Sequence, residues 1–253
     1  MHGPESLPYR PSRALPKKPA REDIEGDSES RIWQPTSSRE AAGLSPPPRS
    51  TGGAPGKRGG GYGWSICPTF YECLSTKQHQ DVRRPQDFAR DAAKGKLANV
   101  SFLIPFYDQS QHNGYSLIKG DNWIAKNVEA VMQGPDWSST AIFITYDDCG
   151  CFYDPVPPPA GQGVRVPMVI VSPYAKPGFV DHTDASFASI LAFVEHLWGI
   201  PPLGPSDADA YDYAGAFNFA QAPLPAVALP QHRVPASSLA SIARHPPPDD
   251  DPT

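Results

Sequence analysis

Residues 140–154 read TAIFITYDDCGCFYD, and the two ends of this stretch ask for different structures. Residues 141–146 are apolar and rich in β-branched and aromatic side chains, which is the length and composition of a buried strand. Two vicinal carboxylates follow, Asp147 and Asp148, and then a glycine between cysteines, Cys149-Gly150-Cys151. In an open α/β sheet, ligands sit just beyond the carboxyl ends of the strands. Acids at such a place are costly to bury unless something cationic meets them. A divalent metal ion is one candidate. A plain turn after a strand is the other, because Asp favours turns.

Outward from this stretch, strands and helices alternate. Residues 100–105, VSFLIP, predict a strand stopped by proline, and 167–172, PMVIVS, a second buried-type strand. Asp121 is a candidate N-cap for a helix reaching Gln133, with Ile124, Val128, Val131 and Met132 on one face and Gly134-Pro135 beyond its end. Asp184 is placed to cap another helix, with Phe187, Ile190, Leu191, Val194 and Leu197 as its core face and Gly199 just past it. A shorter helix is expected over 84–94, with Pro85 in its first turn. Strand, helix, strand, loop, strand, helix predicts an α/β layer fold with a mostly parallel sheet.

The flanks differ in composition. The 253-residue chain holds 32 prolines, far above ordinary usage. Residues 1–60 are rich in Pro, Gly, Ser and Arg, with no hydrophobic period, and 223–253 are rich in Pro, Ala and Asp. Both read as disordered tails, because they bury too little apolar surface to offset their ordering entropy. That leaves 61–222 as the folded domain. The Gly59-Gly60-Gly61 run is a linker rather than a phosphate loop, since neither a preceding strand nor a following Gly-Lys-Ser/Thr is present.

The net charge of -5 gives no field for nucleic acid or an anionic membrane. No apolar run reaches the ~20 residues that span a bilayer. The N-terminus has charge but no apolar core, so it reads without a signal peptide. The four cysteines, Cys67, Cys73, Cys149 and Cys151, lack zinc-site spacing and read as disulfides or free thiols.

The run TYDDCGCFYD, with VPPP and RVPMVIVSPYAKPG after it, resembles the C-terminal half of a bacterial phosphoesterase family that includes phosphatidylcholine-type phospholipases C and acid phosphatases. YGWSICPTFYEC, GDNWIAKNVEAVMQGPDW and ASFASILAFVEHLWG agree in order, and the Cys-Gly-Cys form is similar to the actinobacterial branch. The resemblance covers about residues 61–220. It implies an alkaline-phosphatase-like three-layer α/β/α sandwich, incomplete here, that hydrolyses phosphate esters with the help of a divalent metal and a covalent phosphoryl-enzyme. By the same resemblance, Asp147 and Asp148 are metal ligands and His112, in the Ser-Gln-His segment, is the catalytic-site histidine. The implied partner is a phosphate ester, either a phospholipid head group or a phosphomonoester.

Two departures weigh against full activity. Asp154 is followed by Pro155 where the family has histidine, so Asp154 is expected to be a solvated loop acid or a turn residue. The Glu-Asn metal motif and the Ser or Thr nucleophile of the family's N-terminal half have no counterpart here. The alternatives are therefore an inactive, truncated remnant or binding module, and a half-enzyme completed by a separate chain. His182 and His196 read as structural, and Arg165 as a carboxylate partner. No weight falls on the Asn99-Val100-Ser101 sequon, which opens a strand.

Overall fold

A computed structural model describes residues 31–33, 70–150 and 152–245. The remainder of the two tails, the aromatic segment 62–69, and Cys67 and Cys151 lie outside the described residues. Strand β4 (Ile142–Thr145) occupies the middle of the structure. It pairs with β5 (Met168–Val171), in the register Ile142 to Val171 and Thr145 to Met168. The Thr145 hydroxyl also donates to the Pro167 carbonyl at 2.9 Å, closing the far end of the pair.

This pairing is antiparallel, which corrects the expectation of a mostly parallel sheet. The apolar run of a buried strand reads the same in either direction, so composition could not distinguish the two. Parallel pairing occurs in a separate three-stranded sheet, where β1 (Arg31–Trp33) lies between β2 (Val82–Arg83) and β3 (Ser101–Leu103). Strand β1 falls inside the stretch read as a disordered tail. Arg31-Ile32-Trp33 is too short to show a period of its own, and its backbone is satisfied by partners some fifty and seventy residues downstream.

Around these sheets the helices are α1 (Tyr71–Ser75), α2 (Pro85–Ala92), α3 (Leu117–Met132), α4 (Ala188–Trp198), α5 (Pro205–Ala208) and α6 (Ala236–Arg244). Successive side chains of a strand point to opposite faces, and β4 uses both. Ile142 packs with Leu97, Leu103 and Ala130 on a cluster of Phe88 and Ala92 from α2 and Val131 from α3. Phe143 points the other way, to Phe193 of α4 and to Tyr213, Ala216 and Phe217. Helical layers thus cover both faces of β4, and the fold is mixed α/β. None of the helices among the described residues is long and apolar enough to cross a membrane.

Helix α3 starts five residues before the expected place. Ser116, not Asp121, is the N-cap, and its hydroxyl accepts from the Lys119 N–H at 3.3 Å. The expected inner face holds, with Val128, Val131 and Met132 buried. Helix α4 ends at Gly199 as expected, in the left-handed conformation (φ 62°) that glycine adopts without a Cβ clash. Its start and its face differ. Phe187 occupies the N-cap without a side-chain bond, and Phe187 and Leu191 are 51% and 38% exposed. The buried residues are Ser189, Ala192 and Glu195, while the half-buried Ile190 and Phe193 pack in the cluster that holds Phe143. Glu195 and Asp207 are both buried at the turn into α5, where Asp207 accepts from the Leu203 and Gly204 N–H groups at 2.6 and 3.0 Å. Burial, then the neighbouring Asp207, push the Glu195 carboxyl above its ordinary value.

Residues 224–245, within the stretch expected to be disordered, also carry regular contacts. Leu224 donates its N–H to the Pro173 carbonyl (2.8 Å) and accepts from the Trp137 indole (3.1 Å). Farther on, the Asn122 side chain exchanges two bonds of 2.7 Å with the backbone of His232. Helix α6 follows. Proline-rich chain of this kind needs no helix or ladder to be held, because side chains elsewhere satisfy its backbone.

Candidate functional site: the turn after β4 and the loop that meets it

The strand delivers Tyr146, Asp147 and Asp148 to its carboxyl end. There the chain reverses around Gly150 (φ 56°), a conformation suited to glycine. The turn is held from within, since Asp148 Oδ1 accepts from the Gly150 N–H at 2.5 Å. Asp147 is exposed and Asp148 half-buried. Among the described residues no side chain bonds to Asp147. Cys149 is a half-buried free thiol, while Cys73 is disulfide-bonded.

His112 comes to this turn on the loop between β3 and α3. Two contacts bring the loop in. The Asn113 amide donates to the Gly150 carbonyl at 2.6 Å, and the Tyr146 hydroxyl donates to Gln111 Oε1. His112 is therefore flanked on both sides by residues tied to the Asp147-Asp148 segment. Its own ring is oriented by a 3.0 Å bond between Nδ1 and the Asn113 carbonyl and by edge contact with Tyr115. A carbonyl can only accept, so Nδ1 carries the proton in this contact. Burial, then the charge of Asp121, push the Tyr146 phenol up, so it remains a donor through the physiological range.

Asp154 stands apart from this arrangement. Its carboxylate accepts from the Val156 N–H at 2.9 Å and from Arg165 at 2.7 and 2.8 Å in a two-point pair. The Arg165 bond, reinforced by Val156, holds the Asp154 carboxyl down at about 2. The pair clamps the proline-rich loop, as the turn reading expects, and Arg165 is engaged as a carboxylate partner. A depressed carboxyl stabilises the fold above the ordinary aspartate value of about 3.9 and loses that contribution as pH falls toward 2. Arg165→Ala is expected to return the Asp154 titration to the ordinary range, measured by carboxyl-carbon NMR; an unmoved titration would mean that Val156 alone sets it. His196 bonds Asp212 at 2.8 Å on the surface, and His182 is exposed in its loop; neither joins the site.

Hard divalent cations prefer several oxygen ligands. Asp147 and Asp148 fit two such positions, and the imidazole loop lies alongside. The rest of a cage is absent among the described residues, where no three His, Cys, Asp or Glu side chains gather. Gln111, Asn113 and Tyr146 were not legible as site residues. Asn113-Gly114 reads locally as a turn dipeptide, and its amide bond to Gly150 spans 37 residues.

Comparison with known proteins covers the stretch that holds this turn. The model of the Phosphoesterase family matches residues 69–201, more than half of the chain and all of β4 with its turn. Phospholipase C B of Mycobacterium tuberculosis is 28% identical over 173 residues, 56% of this chain and 33% of its own length. Non-specific phospholipase C6 of Arabidopsis thaliana is 32% identical over 148 residues, 45% of this chain and 28% of its own. The non-hemolytic phospholipase C of Pseudomonas aeruginosa is 28% identical over 171 residues, 52% of this chain and 25% of its own. The chain thus spans about a third or less of the length of these curated relatives. By the extent of the family match, this chain belongs to the Phosphoesterase family.

Proposed function

We propose that the chain carries part of a phosphate-ester hydrolase site, in which Asp147 and Asp148 hold a divalent cation and His112 faces the phosphoryl group or its leaving oxygen. The observation that supports it most is the stitching of two remote loops. Asn113 and Gln111 spend side-chain hydrogen bonds on bringing the histidine loop to the acidic turn, and a surface turn needs no such partner. A bound divalent cation would supply Lewis-acid polarisation of the phosphoryl oxygen. The remaining ligands and the nucleophile would come from outside the described residues. The substrate class is a phospholipid-type diester or a phosphomonoester, after the names of the relatives. The accompanying fold proposal is a portion of an alkaline-phosphatase-like sandwich, supported by helices on both faces of β4.

The sparse donor set favours a second reading, a phosphate-binding module without turnover. The two separate in one assay. Purified chain is incubated with a chromogenic phosphomonoester and a phosphorylcholine diester, with chelator or with added magnesium, calcium, manganese or zinc. Chelator-sensitive turnover is the expected result. No turnover with any metal would leave the binding reading in place.

A further inference from the structure

Gln111 is one of two non-glycine residues with positive φ among the described residues, at 65°. A residue with a Cβ enters that region only when its surroundings hold it there, and such residues cluster at functional sites. The other, Tyr213, lies in the aromatic core, where packing accounts for it. Gln111 has no such cover. Its side chain is instead bonded at both ends: Oε1 accepts from Tyr146 at the end of β4, and Nε2 donates to the Leu117 carbonyl at the start of α3, at 3.0 Å.

The helix leaves room for this. A Cβ on Gly120, in the first turns of α3, would overlap Gln111 Cγ and stand 2.9 Å from the Gln109 carbonyl oxygen. Glycine inside a helix ordinarily weakens it, and here it is the residue that lets the glutamine side chain lie against the helix. A strained backbone, a two-ended side chain and a matching gap thus meet at the position immediately before His112.

We propose that Gln111 is a positioning residue, which locks the His112 loop between the Tyr146 end of β4 and the first turn of α3 and so fixes the imidazole toward the Asp147-Asp148 turn. Asn113, bonded to Gly150, is the second tether on the other side of the histidine. The proposal rests on the phosphoesterase reading above, and it assigns Gln111 no contact with substrate.

The test reads the histidine directly. Full-length chain labelled with nitrogen-15 histidine is compared with Gln111→Gly and Tyr146→Phe, the His112 signals being assigned with His112→Gln. Gln111→Gly removes the side chain and also relieves the positive φ, so its thermal midpoint is expected at or above that of the parent. The Nδ1-protonated signature of His112 is expected to collapse toward the averaged pattern of a free imidazole in both variants. Where the parent turns over a phosphodiester, kcat is expected to fall roughly tenfold or more in both variants, with KM little changed. Gly120→Ala is expected to reproduce the His112 change by displacing Gln111. An unchanged His112 signature in Gln111→Gly and Tyr146→Phe would overturn the proposal, as would a drop in midpoint with the histidine unaffected. A parent that hydrolyses nothing would sink the phosphoesterase reading, while the nitrogen signals would still decide the role of Gln111.

Discussion

Phe143→Ala is expected to lower the unfolding free energy by about 3 kcal/mol, near the low end for removing an aromatic ring from a packed site. Phe143 is the side chain on which the second cluster converges. Its ring lies 5.0 Å from Phe193 in an edge-on contact, 5.6 Å from Tyr213 and 6.5 Å from Phe217. Three separate pieces of chain, β4, α4 and the segment around 211–217, meet at this ring. Aromatic pairs of this geometry add about 0.5–1.5 kcal/mol beyond the area they bury. Val169, on the neighbouring strand but 54% exposed, is the control. Val169→Ala is expected to stay within about 0.5 kcal/mol of the parent. Urea unfolding of the three proteins decides it; equal effects for the two substitutions would mean that β4 is not the packed centre of the domain.

Asp147→Asn is expected to cut metal-dependent phosphoester turnover at least ~100-fold. The size follows from comparison with groups one step removed, since loss of an outer-shell partner costs roughly 10–100-fold in metal affinity or activity. A carboxylate that touches the ion itself has more to lose. The substitution keeps size and shape and removes only charge, and because no side chain among the described residues bonds Asp147, the turn has no contact to forfeit. Asp148 differs. Its Oδ1 holds the Gly150 N–H, a bond that asparagine retains and alanine does not. Asp148→Asn is therefore expected to lose activity with an unchanged thermal midpoint, and Asp148→Ala to lose both. Turnover that survives Asp147→Asn undiminished would remove the acidic pair from the chemistry.

The parts of the molecule that sequence revealed are those with local causes. Strand β4 follows from a run of β-branched and aromatic residues, the inner face of α3 from Val128, Val131 and Met132, and the end of α4 from Gly199. Asp147 and Asp148 stand out by their place after a strand and His112 by the family resemblance, and the structure sets the turn and the loop that bear them side by side through Asn113 and Gly150. What stayed hidden was decided by distant partners. The direction of β5 depends on what lies beside it, and strand β1 is defined wholly by β2 and β3. The start of α3 lies at Ser116, whose hydroxyl caps the helix five residues ahead of Asp121, so a local reading met the acidic residue inside the helix rather than its true cap. The buried face of α4 includes Ser189 and Ala192, while Phe187 and Leu191 stay exposed, a pattern that side-chain size alone does not reveal. The Tyr146–Gln111 contact spans 35 residues and leaves no periodic trace.

Phe152 and Tyr153, just past the acidic turn, are 72% and 89% exposed. With Asp147 exposed as well, this end of β4 is accessible to a cation and a phosphate ester together. Calorimetric titration of the chain with manganese, in the presence and absence of inorganic phosphate, addresses that most directly. The account predicts one ion bound per chain, tightened by phosphate and lost in the Asp147→Asn, Asp148→Asn double variant. Absence of binding in the parent, or binding that the double variant keeps, would contradict it.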